Sequence, residues 1–202
     1  GSDGEGRQES DELSLLPGPV ALEPHGRRRV LVGFALSGLL NNVSYVLFLT
    51  AAESLMTGQS GAVLLASILP SLSVKFCSPV LYTIPYPFRI ATVCLLLVVA
   101  IWTVALCDSQ WLRLFGIGIA SVASGIGEFS FLALTSRFPR VSIAAWGAGT
   151  GAAGLLGSST WVFLHEFVGL SIRNALLTLN VAPIMLGVSY VCLLDPARRR
   201  AG

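Results

Sequence analysis

A single carboxylate lies deep inside an apolar stretch, and it is the first candidate for chemistry. Residues 114–135, LFGIGIASVASGIGEFSFLALT, are apolar or small and polar except for Glu128. About 20 such residues, rising ~1.5 Å each, cross the ~30 Å hydrocarbon layer of a bilayer. An ionisable group at that depth costs roughly 2.5–3.5 kcal/mol, so it must face protein or water. We therefore predict that Glu128 carries a proton or contacts a substrate. The alternative is a hydrogen bond that only holds a neighbouring helix.

Lys75 is the partner that the spacing suggests for Glu128. It lies seven residues before the end of the apolar stretch 62–82, and Glu128 lies seven residues before the end of 114–135. If both stretches end at the same membrane face, each charge sits roughly 10 Å from it. Protonation of Glu128 would then release Lys75 to hold an anion, which couples a proton to a substrate. Alternatively, Lys75 extends its long stem to the interface and never meets Glu128.

The elements that position these residues are membrane-spanning helices. Hydrophobic residues make up 53% of the 202 positions, charged residues only 12%, and the mean hydropathy is +0.74, whereas soluble proteins have roughly 25% charged residues. We predict an all-α membrane protein with the lipid bilayer as its surroundings. Its bundle of about six transmembrane helices covers residues 30–195, with spans near 30–52, 62–82, 89–107, 114–135, 143–165 and 174–194. Pro70 and Pro79 predict a kink in the second span.

Arginines predict the orientation of the bundle. If the first span enters from the cytosol, the cytosolic segments hold the arginines at 27–29, 89, 137, 140 and 198–200, and the lumenal loops hold only those at 113 and 173. Lys and Arg collect on the cytosolic side of membrane proteins. Both termini are therefore predicted to be cytosolic, and this distribution indicates topology rather than nucleic-acid binding.

The two ends of the chain are predicted to be tails. Residues 1–29 are polar and read as a disordered cytosolic tail, and residues 196–202 as a basic cytosolic tail. Asp11, followed four and five positions later by Leu15 and Leu16, fits an acidic dileucine pattern that sorting adaptors bind. The alternative is an ordinary disordered tail that happens to contain two leucines.

Glycines in the fifth span are predicted to pack helices together. The run 149–154, GTGAAG, matches G-x-G-x-x-G, but no strand precedes it and no acidic ribose partner follows, so we reject nucleotide binding. Gly147, Gly151 and Gly154 are instead expected to let a neighbouring backbone approach closely.

No catalytic or cofactor site is expected. The sequence contains no nucleophile with a base and an orienting group at one depth, and no cluster of metal ligands. His165 and Glu166 lie at a span end without a third ligand, and the four cysteines have no CxxC spacing. We therefore predict a protein that is not an enzyme and that holds neither a metal nor a cofactor.

Four separated stretches carry a resemblance to one known family. They are GLLNNVSYV at 38–46, LLASILP at 64–70 with Lys75 after it, SGIGE at 124–128 continuing to Thr135, and GTGAAGLLG at 149–157. In this order they resemble the battenin family of lysosomal and vacuolar multi-span membrane proteins. The resemblance implies a major-facilitator type of fold, in which two six-helix halves rock about a central site. It also implies a role in organelle pH, basic amino acids and glycerophosphodiesters.

The resemblance places five polar residues on a cavity wall: Asn41, Asn42, Lys75, Glu128 and Thr150. The amides of Asn41 and Asn42, near the middle of the first span, need partners in any case. Two departures from the family pattern stand out. Ser67 occupies a position where the family is expected to have an acidic residue, and a second set of spans is expected after the sixth. The chain is then a fragment, a truncated gene product or half of a homodimer.

Two functions follow. The first is a lysosomal or vacuolar transporter-like protein for a small charged metabolite or ion, with Glu128 responding to protons. The second is a membrane trafficking or scaffold protein whose buried polar residues only hold helices together and whose tail recruits adaptors.

Overall fold

A helical bundle forms the whole of the described structure. The computed structural model describes residues 24–55, 58 and 60–194, and within these ranges every regular element is a helix. In chain order the helices are α1 (Pro24–Leu55), α2 (Ser60–Phe76), α3 (Ser78–Tyr82), α4 (Tyr86–Leu106), α5 (Gln110–Thr135), α6 (Val141–Val162), α7 (Ile172–Thr178) and α8 (Val181–Ser189). Two π-helical turns, Phe163–Phe167 and Tyr190–Leu194, continue α6 and α8.

Each of the six predicted spans is helical in the structure, which confirms the all-α membrane fold. Within the described ranges, four segments are long and apolar enough to cross a membrane: Gly26–Ala51, Tyr86–Leu106, Gln110–Thr135 and Ile172–Leu194. The second span is shorter because its first helix, α2, ends at Phe76. The fifth, α6, has the length but is rich in glycine and serine, which lowers its hydropathy.

Helix α1 begins before the predicted boundary of the bundle. It starts at Pro24, so residues 24–29, predicted as part of the disordered tail, are helical. Proline is favourable at the first helical position, and the arginines that follow are good helix formers. The rest of both predicted tails lies outside the described residues, including the dileucine residues Asp11, Leu15 and Leu16.

Prolines mark the breaks in the second and sixth spans. The second span is interrupted at Cys77, and Pro79 is the second residue of α3. The sixth is interrupted after α7, and Pro183 is the third residue of α8. A proline lacks the N–H that a helix interior needs, but the first turn leaves that group free anyway. Each proline therefore lies in the first turn of a new helix.

Helix α5 lies between α1, α2 and α4, and α1 packs on α6 as well as on α5. Two clusters of buried apolar side chains fill the bundle. One includes Phe34, Phe131 and Trp146, and the other includes Leu47, Ile101 and Ile117. The helix that carries Glu128 is thus held on several sides, which fixes the position of its carboxylate.

The glycines that pack α6 are not those that the sequence predicted. A Cβ atom on Gly149 would clash with the carbonyl of Ala35 in α1, and one on Gly157 would lie 3.0 Å from Cγ1 of Val46. By contrast, a Cβ atom on any of the three predicted glycines, Gly147, Gly151 and Gly154, would meet nothing within 4 Å. The prediction that these three glycines pack helices is therefore wrong for the described part of the chain. Glycines of α6 do pack against α1, but they lie on a different face of α6 from the three predicted ones.

Candidate functional site in the membrane

Lys75 and Glu128 form an ion pair between α2 and α5. Nζ of Lys75 lies 2.9 Å from Oε2 of Glu128, and the side chains are 45% and 36% exposed in the bundle. Equal counts from the ends of the two spans had suggested this pairing, and the alternative in which Lys75 avoids Glu128 does not apply to this structure. The two charges partly cancel, yet both remain open to a third group.

A close helix contact brings the two charged side chains within reach of each other. Gly125 lies one turn before Glu128, and Ser71 lies one turn before Lys75. A Cβ atom on Gly125 would be 3.0 Å from Cα of Ser71 and would push the two backbones apart, so the glycine favours their close approach. The α2–α5 separation that this contact sets is what lets the ammonium meet the carboxylate.

A hydroxyl group from α5 bonds two backbone groups of α2 beside Pro70. Oγ of Ser121 donates to the carbonyl of Ser67 at 2.5 Å and accepts from the N–H of Ser71 at 3.0 Å. These two backbone groups pair with each other in an uninterrupted α-helix. The hydroxyl satisfies these backbone groups where no water is present. The α2 backbone next to Pro70, one turn before Lys75, is therefore bonded to α5.

Ser67 occupies the position where the family was expected to carry an acid. It is 2% exposed, and its hydroxyl donates to the carbonyl of Leu64 at 2.8 Å. Its side chain is thus used inside α2, and it adds no charge near the ion pair.

Asn41 holds α1 against α5 and does not line an open wall. Its side chain is completely buried, and its Nδ2 donates to the carbonyl of Ser124 at 3.1 Å. A Cβ atom on Gly127 would overlap Oδ1 of Asn41, and this oxygen accepts no hydrogen bond from the described residues. The predicted place of Asn41 on a cavity wall is therefore corrected to a sealed helix contact, one turn of α5 away from Glu128.

Asn42 and Thr150 form a polar contact between α1 and α6. Nδ2 of Asn42 lies 2.9 Å from the carbonyl of Gly38 and 3.4 Å from Oγ1 of Thr150. Both side chains are half-buried. The structure thus joins the predicted residues in two groups: Lys75 with Glu128, and Asn42 with Thr150. Asn41 lies at the contact between α1, which carries Asn42, and α5, which carries Glu128.

Sequence reasoning missed Ser121 and Ser124 on α5. They precede Glu128 by seven and four residues, which places all three on one face of the helix. The hydroxyl of Ser121 bonds α2, and the carbonyl of Ser124 accepts a hydrogen bond from α1. The spacing of small polar residues ahead of the carboxylate was the signal that could have found them.

The other motifs form no site in the described structure. The run 149–154 lies in the middle of α6, without the strand and turn that a phosphate loop requires. Nδ1 of His165 lies 3.0 Å from the carbonyl of Leu170, and the ring stacks on Trp161. Residues 24–55, 58 and 60–194 contain no group of three or more His, Cys, Asp or Glu side chains arranged to hold a metal.

Either charged group of the ion pair can exchange its partner for a bound ion. A protonated Glu128 is neutral and no longer competes for the ammonium, whose three donors can then bind an anion. An ionised Glu128 can instead bind a cation if Lys75 moves away. Apart from the transfer of a proton, either exchange changes only non-covalent contacts, so the pair is suited to binding.

Known proteins resemble this chain over most of its length. The profile of the family described as CLN3 protein matches residues 32–202. The chain is 39% identical over 178 residues to Protein btn-1 of Neurospora crassa, covering 85% of this chain and 38% of that protein. It is 40% identical over 181 residues to Protein BTN1 of Yarrowia lipolytica, covering 88% and 45%. For Protein BTN1 of Saccharomyces cerevisiae the identity is 37% over 153 residues, covering 74% and 37%.

The chain spans less than half of the length of these curated relatives. No solved structure matches it. The match of the family profile to most of the chain and the apolar helices agree on a multi-pass membrane protein. The chain belongs to the CLN3, or battenin, family.

Proposed function

We propose that this protein acts in a lysosomal or vacuolar membrane as a transporter-like protein for small charged metabolites. Basic amino acids and glycerophosphodiesters are the proposed substrates, and the activity contributes to organelle pH. Glu128 is the proton-responsive group and Lys75 its counter-charge. The proposed fold of the complete transporter is of the major-facilitator type, in which six-helix units rock about a central site.

The ion pair between Lys75 and Glu128 carries this proposal. Its two atoms lie 2.9 Å apart between two helices of a membrane bundle, yet more than a third of each side chain is exposed. Charges in a membrane are costly, and replacing a buried ion pair with apolar residues is often neutral or stabilising. Stability alone therefore gives little reason for such a pair, whereas a polar passage gives a good one.

The proposed cycle alternates the partner of Lys75. A proton that binds Glu128 neutralises the carboxylate, and the ammonium becomes free for the phosphate or carboxylate of a substrate. Loss of the proton restores the ion pair and displaces the substrate. Proton and anion are then linked because each stabilises the same open state of the pair.

A non-transporting scaffold is the second candidate, and the other polar contacts favour it. Asn41 bonds α5, Asn42 contacts Thr150 of α6, and Ser121 bonds α2. All three side chains connect helices, which is sufficient reason for polar residues in a membrane bundle. In this function the Lys75–Glu128 pair would be one more such connection.

Flux measurements in proteoliposomes separate the two candidates. The purified protein is reconstituted with a pH gradient, and uptake of labelled arginine, lysine and glycerophosphodiesters is measured. A transporter shows uptake that depends on the gradient, and Glu128→Gln abolishes that dependence. Lys75→Met weakens uptake of the anionic substrate. Glu166→Gln serves as the matched control, since this exposed carboxylate lies in the turn after α6, at the end of the bundle away from the pair.

Two outcomes of the same measurement contradict the proposal. A variant with Glu128→Gln and Lys75→Met together that retains gradient-driven uptake rules out the coupling role of the pair. Wild-type protein without uptake of any of these substrates favours the scaffold.

Sorting to the organelle is proposed to use the dileucine residues. Adaptors would bind Asp11, Leu15 and Leu16 on the cytosolic side, where the distribution of arginines leads us to expect the N-terminus. Replacing Leu15 and Leu16 with Ala is expected to move the protein away from lysosomes or vacuoles, as seen by microscopy. Unchanged targeting would contradict the proposal.

A further inference from the structure

Two arginines contact one tyrosine ring at the membrane face where α4 begins and α5 ends. The guanidinium carbon of Arg89, in the first turn of α4, lies 4.5 Å from the centre of the Tyr86 ring. That of Arg137, in the loop after α5, lies 5.1 Å from the same centre. We call these three residues the Tyr86 cluster. Two like charges held against one ring repel each other, so an anion between or above them would stabilise the arrangement.

The described residues provide no such anion. Three carboxylates have described side chains: Asp108 pairs with Arg113 at 3.7 Å, Glu128 pairs with Lys75, and Glu166 lies in the turn after α6, at the other end of the bundle. Neither arginine of the Tyr86 cluster pairs with any of them. The cluster thus carries two positive charges without a described counter-charge.

Arg89 has an unused donor in spite of its burial. Its side chain is 4% exposed, and its Nε donates to the carbonyl of Ile84 at 2.7 Å. Its Nη1 is buried and has no hydrogen-bond partner among the residues that the structure describes. Buried donors normally have a partner, so this group indicates an acceptor from outside the described chain.

The first turn of α4 adds to the same field. Pro85 precedes the helix and provides no side-chain cap, and the turn has no acidic residue. The start of a helix carries a partial positive charge that attracts anions. Two guanidinium groups, an unpartnered buried donor and an uncapped helix start therefore all favour a negative group at one place.

An apolar groove begins at Pro87, the residue after Tyr86, and follows α4 away from its first turn. It has a volume of about 400 Å³ and lies between α4 and α8. Its lining on α4 is Pro87, Ile90, Ala91 and Cys94, which follow one helical face from the residue next to Tyr86. Pro183 and Gly187 are among the residues that line it on α8. Both walls belong to segments that are long and apolar enough to cross a membrane.

We propose that the Tyr86 cluster and this groove together bind one anionic phospholipid. The phosphate lies against Arg137 and the start of α4 and accepts a hydrogen bond from Nη1 of Arg89, and one acyl chain occupies the groove. A soluble phosphate would use the charge but leave the groove unused, and a neutral lipid would do the opposite. The combination selects a molecule with a negative head and an apolar tail.

Lipid retention tests the proposal. The protein is placed in phosphatidylcholine nanodiscs that contain a minor fraction of phosphatidylserine, extracted into detergent and examined by native mass spectrometry for bound lipid. Wild-type protein is expected to retain phosphatidylserine in preference to phosphatidylcholine. Arg137→Gln is expected to lower that retention about fivefold, since one basic residue near a membrane surface adds about 1 kcal/mol of attraction to an anionic lipid. The matched control is Arg173→Gln, which removes an exposed arginine in the first turn of α7, at the opposite end of the bundle.

A second variant tests the groove without changing any charge. A Cβ atom on Gly187 would lie 3.7 Å from Sγ of Cys94, an ordinary contact, so Gly187→Leu is expected to fold and to fill the groove. It should lower retention of phosphatidylserine while both arginines remain.

Two outcomes overturn the proposal. One is retention by Arg137→Gln that equals retention by Arg173→Gln. The other is full displacement of phosphatidylserine by millimolar inorganic phosphate together with no effect of Gly187→Leu, which would assign the arginines to a soluble anion.

Discussion

Lys75 and Glu128 are the residues on which the proposed function depends, and their energetics can be tested separately from transport. Removal of one partner leaves the other charge in the bundle without its counter-charge. Full burial of such a charge costs about 3–5 kcal/mol, and exposed pairs contribute about 0–1 kcal/mol. Because each side chain is more than a third exposed, we expect Glu128→Gln or Lys75→Met to destabilise the protein by about 1–2 kcal/mol, between those limits.

The double variant serves as the control for this prediction. Glu128→Gln with Lys75→Met removes both charges, so it should cost less than the sum of the two single variants. Unfolding in detergent, followed by circular dichroism, measures all four free energies. Strictly additive losses would show that the two charges do not interact.

The sequence predicted the ion pair but not the position of Asn41. Lys75 and Glu128 could be matched because depth in a membrane follows from counting residues along a helix of fixed rise. The burial of Asn41 depends on the rotation of α1 about its axis. The adjacent side chains of Asn41 and Asn42 point about 100° apart around the helix, as 3.6 residues per turn requires. Asn41 is therefore sealed against α5, and Asn42 contacts α6.

Glycine packing is the property of α6 that determines how closely it approaches α1. Gly149 faces the carbonyl of Ala35, and Gly151, two residues later, faces open space. We predict that Gly149→Ala costs about 1–3 kcal/mol because its methyl group overpacks the contact. Gly151→Ala, the matched control, should be neutral or stabilise the helix by up to about 1 kcal/mol, since alanine is the better helix former.

Thermal unfolding of the two alanine variants in detergent checks the prediction. Equal melting temperatures would mean that α1 and α6 do not approach each other through Gly149. The sequence alone could not choose between these faces, because α6 carries small residues all around: Gly147 and Gly151 fit one stripe, and Gly149, Ala153 and Gly157 fit another.

The hydroxyl of Ser121 connects α5 to the α2 backbone next to Pro70. Ser121→Ala removes its hydrogen bonds to both the Ser67 carbonyl and the Ser71 N–H. A hydrogen bond contributes about 0.5–1.5 kcal/mol net, so we expect the loss of two to cost about 1–3 kcal/mol of stability. Ser158→Ala removes an exposed hydroxyl that bonds only its own helix and should change stability by less than about 0.5 kcal/mol.

Hydrogen exchange at α2 gives the more specific readout for this variant. Amides around Ser71 should exchange faster in Ser121→Ala than in Ser158→Ala, since the Ser71 N–H loses its bond to the Ser121 hydroxyl. Unchanged exchange at α2 would contradict a role for Ser121 in holding α2 against α5.

Orientation in the membrane is the property of the whole molecule that the arginines predict. A tag after Gly202 should be accessible to antibody when only the plasma membrane is permeabilised, because the basic residues nearest that end favour the cytosol. A tag in the loop at 168–171, between α6 and α7, should become accessible only after the organelle membrane is opened as well. Staining of the loop tag alone under the first condition would reverse the orientation.

The fold class followed from the sequence because hydropathy and helix length are properties of each segment alone. The break at Cys77 falls in the span where Pro70 and Pro79 predicted a kink, and Pro79 lies just after it. The Tyr86 cluster was not predicted, since Tyr86 and Arg137 are distant in the chain and meet only when α4 packs on α5.

The reactivity of a thiol at position 128 tests whether this part of α5 faces water. The four native cysteines are replaced, and Glu128→Cys is compared with Leu95→Cys, a position on α4 that is 64% exposed on an apolar face. A charged, membrane-impermeant thiosulfonate reacts with the thiolate, which apolar surroundings suppress. If Glu128 faces a wet passage, the thiol at position 128 reacts at least about tenfold faster than the thiol at position 95. Equal, slow reaction at both positions would place position 128 in lipid or in a sealed contact and would contradict transport past this residue.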